Sequence, residues 1–392
     1  MSANKPPFDG EWVKVAEVFN LQMGKTPSRK KMEYWNTGEY DWVSIKDLGS
    51  YGRFVGRTKE TISELGRIES GIKQVPANTL LMSFKLSLGK TSITTRPIYT
   101  NEAIMAFLDK GTFQFDLGYM WHQFRTKDWA TGTNMAVMGE TLNKKTLGSA
   151  LIRLPDLRTQ RLVASCLDVI QSQLEIAGKK LECLDTLVKS RFVEMFGDPT
   201  VEHDGWPYET IGNVCQVITG NTPSRKDEAN YGDSIEWCKT DNITDARYLT
   251  RAAESLSEAG AQRGRIAPAG SVLMACIAGS IKTIGKVAIN DRPVAFNQQI
   301  NALIPMDGLS VDYLLWALRL SKDYLCSDVN MQLKGILNKS ALSAKRFAIP
   351  PLALQQEFAA FVAEVDKSRF IVQQKIEKLQ TLYDSLAQEY FG

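Results

Sequence analysis

Two stretches of this sequence carry side chains suited to gripping a phosphate-bearing polymer. Gly24-Lys25-Thr26-Pro27-Ser28-Arg29-Lys30 and Gly220-Asn221-Thr222-Pro223-Ser224-Arg225-Lys226 set hydroxyls and cationic tips on a backbone constrained by Gly and Pro. Hydroxyls and Lys or Arg ends suit phosphate oxygens, and an Arg fork can also pair with guanine edges. Lys25, Thr26, Ser28, Arg29 and Lys30, with Thr222, Ser224, Arg225 and Lys226, are therefore the candidate nucleic-acid contacts. The competing reading is structural: Thr-Pro-Ser ends a strand and starts a helix, with Ser as its N-cap. The two roles can coexist, with a cap in the loop and a phosphate contact from Arg.

A second group of cations sits beside glycine. Lys85 and Lys90, and Lys282 and Lys286, lie around Gly-rich turns, where the missing side chain lets a ligand approach the backbone. Gly89-Lys90-Thr91 resembles the end of a nucleotide phosphate loop, but Phe84 stands where that motif requires Gly. Gly279 to Lys286 has one residue too many, and Val287 stands where a hydroxyl is needed. Nucleotide hydrolysis is rejected on that ground, leaving a hairpin that offers lysine to phosphates or a solvated turn. Gln298, Gln299, Asn338 and Lys339, with Asn143 and Lys144, interrupt apolar runs. Asn and Gln can read adenine in the major groove, and they also satisfy buried backbone groups. The only histidines, His122 and His203, lie near no cysteine pair, so a zinc or Ser-His-Asp site has almost nothing to draw on. The sequence has no glycine-rich dinucleotide fingerprint, no Asn-Pro-Pro-aromatic methyltransferase motif and no nuclease carboxylate cluster. No catalytic residue and no metal ligand is predicted.

The elements that must hold these residues are written twice. The Gly-x-Thr-Pro-Ser-Arg-Lys loop recurs at an offset of 196. At nearly the same offset Trp42 returns as Trp237, Leu80-Leu81-Met82 as Val272-Leu273-Met274, and Asn101 and Ile104 as Asn297 and Ile300. Asn134-Met135 matches Asn330-Met331, Gly139 matches Gly335, and Leu142-Asn143-Lys144 matches Leu337-Asn338-Lys339. Leu154-Pro155 returns as Ile349-Pro350, and Phe196-Gly197 as Phe391-Gly392. A period this long exceeds any solenoid unit and means two copies of one complete module. Each module opens with a mixed part: strand-like runs such as Trp42 to Ile45 and Thr79 to Phe84 between turn residues, and helical stretches such as Val311 to Leu320.

Each module then closes with one long helix. It begins after Pro155 or Pro350-Pro351 and ends at Phe-Gly, with Gly197-Asp198-Pro199 as a firm stop. Val163, Ile170, Leu174, Ala177, Leu181, Leu184 and Val188 follow heptad steps, as do Phe358, Val365, Val372, Ile376, Leu379, Tyr383, Leu386 and Tyr390. A rod of about 38 residues is roughly 57 Å long. Each seam packs either on its own globular part or on the other helix; the narrow seam favours a coiled coil, and the repeat then implies an antiparallel, pseudo-two-fold pair. On that arrangement Gly392 lies close to the Trp12 strand. The predicted fold class is α+β: two mixed α/β domains joined by two long antiparallel coiled-coil helices, with boundaries at 1–155, 156–197, 198–350 and 351–392.

Composition bounds the rest. A chain of 392 residues with 44% apolar and 23% charged residues suits two or three globular domains and is no disordered polymer. No apolar run is long enough to span a membrane, and Met1 to Gly10 lacks the apolar stretch of a signal peptide. Six scattered cysteines without a Cys-x-x-Cys pair fit reduced thiols, so a cytoplasmic location is expected. Net charge is only +3, yet Trp12 to Pro155 holds 20 Lys/Arg against 13 Asp/Glu. That surplus fits a nucleic-acid partner as well as an ordinary surface.

The order of motifs, twice over, resembles the specificity subunit of Type I restriction–modification systems. The loop followed by Tyr34-Trp35, Gly38, Trp42 and Asp47-Leu48 looks like a common form of that family's target-recognition domain, and the second copy has Tyr231-Gly232 and Trp237 to Ile243. Ser87-Leu88-Gly89-Lys90 and Ser280 to Val287 are similar to the family's glycine-basic segment, the first copy being shorter than the second around Ala278-Gly279-Ser280-Ile281. Leu154 to Gln160, and approximately Ile349 to Gln355, resemble the lead-in to its conserved helices. The resemblance spans about residues 12–392. It implies that each globular domain reads half of a split double-stranded DNA target. It further implies that the helices space the halves and dock two methyltransferase subunits, and that restriction subunits join the complex. S-adenosylmethionine, ATP and Mg are then expected only on those partners, with no cofactor here. The rivals are a coiled-coil structural adaptor without DNA specificity and a catalytic nuclease or methyltransferase subunit.

Overall fold

The computed structural model describes residues 10–85, 87–129, 142–280, 282–327, 329 and 335–392. The repeat matches at Asn134-Met135, Gly139 and Asn330-Met331 lie outside the described residues, as does Ile281 of the glycine-basic segment. The chain forms two compact units, residues 1–178 with 374–392, and residues 179–373.

In the first unit the strand Phe19–Met23 pairs antiparallel with Ile104–Asp109, which pairs with Leu80–Ser83, which pairs with Thr91–Ile93. The two inner strands are buried along most of their length because both faces are covered. Leu80, Met82, Met105 and Phe107 pack with Tyr119, Met120 and Phe124 of the helix Leu117–Thr126. Their alternating neighbours Leu81, Ile104 and Ala106 pack on the other side with Val43, Leu48, Val55 and Ile98. That division follows from the two-residue period of a strand. The second unit repeats the plan: Cys215–Thr219, Ile300–Pro305, Val272–Ala275 and Val287–Ile289 form the same antiparallel order, and Leu303 stands in the register of Phe107. A second sheet in each unit is built on Trp35–Val43 or on Tyr231–Cys238.

Local differences from the sequence reading have simple causes. Thr79 to Phe84 is a strand over Leu80–Ser83, and Val311–Leu320 is a helix. Trp42 to Ile45 is not one strand. Ser44 accepts from the amide of Asp47, whose carboxylate accepts back from Ser44, and this capping box turns the chain into the short helix Ile45–Leu48.

The long helices run Leu157–Phe196 and Leu352–Phe391, 40 residues each. The first stops at Gly197, whose φ of 66° is left-handed and costs a glycine little. In each unit the two helix segments are antiparallel. Asp185 meets Arg369 (2.7 Å) and Arg191 meets Glu357 (2.8 Å) in the second unit, so rising numbers on one helix meet falling numbers on the other. In the first unit Gln173 accepts from Lys375 (2.9 Å), while Val163 and Ile170 share a core with Tyr383, Ala387 and Phe391. Val163, Ile170, Val188, Val365, Val372 and Tyr383 are buried, and Leu174, Leu181, Leu184, Ile376, Leu379 and Leu386 half-buried. The same face also packs on the strands and on the helix Leu117–Thr126 or Val311–Leu320, so one seam serves both packings. Leu167 and Phe192 belong to this face too.

Two polar devices fix each helix to its domain. Gln160 is fully buried; its amide donates to the carbonyls of Pro155 (2.8 Å) and Gln114 (3.3 Å), and its oxygen accepts from the Asp116 amide (2.8 Å). Gln355 does the same with Pro350 (2.7 Å), Gly308 (3.0 Å) and Ser310 (2.7 Å). In the first unit His122, also fully buried, places Nε2 2.7 Å from Asp168 Oδ1 and Nδ1 2.8 Å from the Tyr383 hydroxyl. A neutral ring satisfies both contacts, donating to the carboxylate and accepting from the phenol. Burial holds the imidazole below its ordinary range, against the pull of Asp168. Arg53 completes the cluster with both Asp168 oxygens at 2.7 Å. Gly392 and Trp12 line one cavity of the first unit.

Two outcomes follow. Gln355→Leu strands the Ser310 amide and two carbonyls, so about 1–3 kcal/mol of stability should be lost for the buried groups left unpaired, read as a lower denaturant midpoint. For His122, an unfolded histidine takes up its proton near pH 6.5. The folded value lies lower, so the site's stabilising contribution is whole above that pH and declines as pH falls below it. The wild-type melting temperature should fall more than that of His122→Gln between about pH 7.5 and 5.5; equal falls would place the pH dependence elsewhere.

Candidate nucleic-acid interface

The duplicated loop leaves its first strand through a contact only glycine permits. A Cβ on Gly24 would lie 2.2 Å from the Thr100 carbonyl oxygen, and one on Gly220 2.3 Å from that of Asn297. The next amides then donate into the second sheet, Lys25 to Thr100 (2.8 Å) and Asn221 to Phe296 (3.0 Å). Below the loop, aromatic donors take its carbonyls. Trp42 donates to Lys25 (3.1 Å) and Trp35 to Ser28 (3.1 Å); Trp237 donates to Asn221 (3.3 Å) and Tyr231 to Pro223 (2.8 Å). With the backbone tied down and both prolines buried, Lys25, Ser28, Arg29, Lys30, Thr222, Ser224, Arg225 and Lys226 are exposed, and Thr26 is half-buried.

Each loop arginine is held rather than free. The Arg29 guanidinium lies 3.7 Å from the Trp35 ring centroid and 5.0 Å from that of Trp42, and its fork meets both oxygens of Glu60. Arg225 lies 4.7 Å from Tyr231 and 5.1 Å from Trp237, and bonds Glu254 at 2.6 Å. Lys239 also bonds Glu254, and that hydrogen bond, with the one from Arg225, holds the carboxyl below its usual range against the opposing effect of burial. Both arginine side chains stay about half exposed, 51% and 54%. A guanidinium has five donors, so an edge held by one carboxylate leaves N–H groups for a second anion. Glu60 and Glu254 could not be singled out from sequence, because they lie 31 and 29 residues from their arginines and follow no local spacing.

Other candidates fall elsewhere. Neither Ser28 nor Ser224 caps a helix: the short turns Met32–Tyr34 and Glu228–Asn230 are preceded by Lys31 and Asp227, so the N-cap reading of this loop is corrected. Lys90 follows Gly89 in a hairpin that leads straight into the strand Thr91–Ile93, and Lys286 follows Gly285 in the equivalent turn; a phosphate loop would open a helix there. Lys90 lines a cavity of about 430 Å³ with Tyr51, Arg125 and Glu175. Lys282 and Lys286 line one of about 600 Å³ with Arg319 and Lys322, and Lys286 is paired with Asp245 at 2.9 Å. Lys85 is half-buried over the Phe84 ring. No Thr-Pro-Ser-Arg side chain lines either cavity, so the loop and the hairpin lysines form separate groups. Of the two roles the sequence left open for Asn143 and Asn338, both residues take the backbone one: they are N-caps, accepting from Thr146 (2.9 Å) and Ala341 (2.8 Å), with Lys144 and Lys339 opening the helices they cap. Gln298 accepts from the Thr222 hydroxyl, and the Gln299 carbonyl accepts from Cys276 (2.8 Å) and Ile277 (3.1 Å). Among the described residues no group of three His, Cys, Asp or Glu side chains could hold a metal ion, and no helix is long and apolar enough to cross a membrane.

Comparison with known proteins gives the same duplication. The Type I restriction modification DNA specificity domain matches residues 8–185 and again 203–381. The specificity subunit of the Type I restriction enzyme MjaIX from Methanocaldococcus jannaschii is 21% identical over 97% of this chain and 92% of its own. That of HindI from Haemophilus influenzae is 33% identical over 29% of this chain and 25% of its own. The fold is that of the Type I system S subunit from M. genitalium, with a TM-score of 0.54, 14% identity and coverage of 100% and 98%. A chain solved in a study of type I R-M complex assembly and conformational transition gives a TM-score of 0.61, 16% identity and 99% coverage of both chains. The chain, with its two copies of one loop in two copies of one domain, belongs to the Type I restriction–modification DNA specificity family.

Proposed function

We propose that this chain is the DNA-reading subunit of a Type I restriction–modification complex, in which each unit reads one half of a split double-stranded target. The observation that carries this is the loop built twice: hydroxyls and cations exposed on a backbone fixed by glycine, buried proline and aromatic donors, with Arg29 and Arg225 pre-set over rings. Fixed donors lose little entropy on meeting phosphates, which set register, while side chains reaching base edges give sequence.

The chain supplies no catalysis in this reading. Two methyltransferase subunits dock on it, restriction subunits join through that core, and S-adenosylmethionine, ATP and Mg are bound by those partners. Methylation needs its base out of the stack, which falls to a methyltransferase. The docking reading is supported by Leu162, Val169 and Ile176 on the first long helix, exposed and seven residues apart on a face away from the buried seam. Assembly takes place in the cytoplasm.

Coexpression with a methyltransferase partner, followed by methylation mapping of the host genome, should recover a split motif with an unread spacer; a contiguous palindrome would overturn the reading. The adaptor alternative requires that no salt-dependent DNA affinity be found. Arg225→Ala should cost about 1–3 kcal/mol at a base contact, or lower the salt slope by about one at a phosphate contact, in one half-site only. Unchanged binding across a salt series by the folded variant would leave that loop a structural role alone.

A further inference from the structure

Directly behind each loop, one position differs between the units in the hydrogen-bonding capacity it has to spare. Between Ile98 and Phe107 the one exposed residue is Glu102, and between Val294 and Leu303 it is Gln298. The two occupy equivalent places, each following the Asn that recurs in both copies (Asn101, Asn297) at the turn between the two sheets. Each supports the loop in the same way. The Thr26 hydroxyl donates to Glu102 Oε2, and the Thr222 hydroxyl donates to Gln298 Oε1. Asn101 donates to the same Thr26 oxygen at 2.9 Å, which leaves its proton for the carboxylate.

Loop support therefore asks only for one acceptor oxygen, and either residue type supplies it. What distinguishes them is the remaining atom. Glu102 is left with a carboxylate oxygen that can only accept. Gln298 is left with an amide nitrogen carrying two N–H donors beside an oxygen with a spare lone pair. Glu102 also brings a negative charge against Thr26, the neighbour of Lys25. An acid at that place can take a hydrogen bond from an amino group.

We propose that Glu102 and Gln298 are specificity-determining residues, one in each half-site, with Glu102 accepting from a cytosine amino group and Gln298 pairing with adenine through its donor and acceptor together. The inference rests on the DNA-reading function above. Those pairings follow from the donor and acceptor patterns that bases display in the major groove. The loop that is alike in both units then grips the backbone, and the residue that differs tells the halves apart.

The test uses the full-length subunit in its complex with the methyltransferase. Its probes are duplexes carrying the mapped target and every single-base substitution of it. Glu102→Gln should shift one base pair of one half-site by about tenfold towards adenine, with the other half-site unchanged. Gln298→Glu should shift one base pair of the opposite half-site towards cytosine. Both variants keep the oxygen that the threonine needs, and each reports on its own half-site, so one failing to assemble leaves the other decisive. An unchanged preference profile would overturn the proposal, and so would equal weakening on every duplex, which is what loss of loop support alone produces. A wild-type complex with no sequence preference would instead remove the DNA-reading function itself.

Discussion

A buried glutamine amide in the first turn of each long helix joins rod and domain into one body. Its three polar partners lie on two separate stretches of chain: the proline carbonyl just before the helix, and the segment leading into the helix Leu117–Thr126 or Val311–Leu320. An amide sealed from water must satisfy both ends at once, which fixes distance and rotation together. The apolar seam alone would not do this, because a hydrophobic face slides at little cost. Tyr119 and Tyr313 repeat the logic nearby, their hydroxyls donating to the carbonyls of Arg153 (3.0 Å) and Ala348 (2.5 Å). Once the helix is clamped, the sheets packed on it are placed, and so is the loop that leaves the first strand.

Elsewhere the two units solve one packing problem with different chemistry. The sixth residue of the ten-residue helix is His122 in one and Trp316 in the other, and the long-helix positions facing His122, Asp168 and Tyr383, correspond to Ala363 and Val188. A hydrogen-bonded cluster has been exchanged for an apolar one, leaving the Trp316 indole N–H buried without a partner. The arginine link survives in both. Arg53 and Arg247, whose carbonyls accept from Ile93 (2.7 Å) and Ile289 (2.9 Å), each reach a long-helix carboxylate, Asp168 or Asp366. In the second unit Asp312 shares the guanidinium, and burial still pushes its carboxyl above the ordinary range despite Arg247.

The two-copy plan and the seam could be read from sequence because both are periodic: Val163, Ile170 and Leu174 declare a helix face without knowledge of what covers it. The glycine of each loop was also legible, since Gly24 and Gly220 stand where strand gives way to turn. What could not be read were polar partners brought together over distance. Gln160 looks like any polar residue of a helix start until Gln114 and Asp116, from 46 and 44 residues away, close over it. Glu60 is one of many surface acids until its strand lays it against Arg29. Asn143 and Asn338 were open to a local reading, because an asparagine three residues before Thr146 or Ala341 is an ordinary cap. Their place within apolar runs kept base reading open beside that backbone role.

The first compact unit is assembled from residues 1–178 and 374–392, with the whole second unit inserted between. During synthesis the second unit can therefore close as soon as its own span has emerged, while the first must wait. Until residues 374–392 arrive, Val163, Leu167 and Ile170 lack Tyr383, Ala387 and Phe391, and His122 lacks the phenol that satisfies its ring. The domain made first is completed last. A chain that stops short of residue 374 leaves that apolar face uncovered.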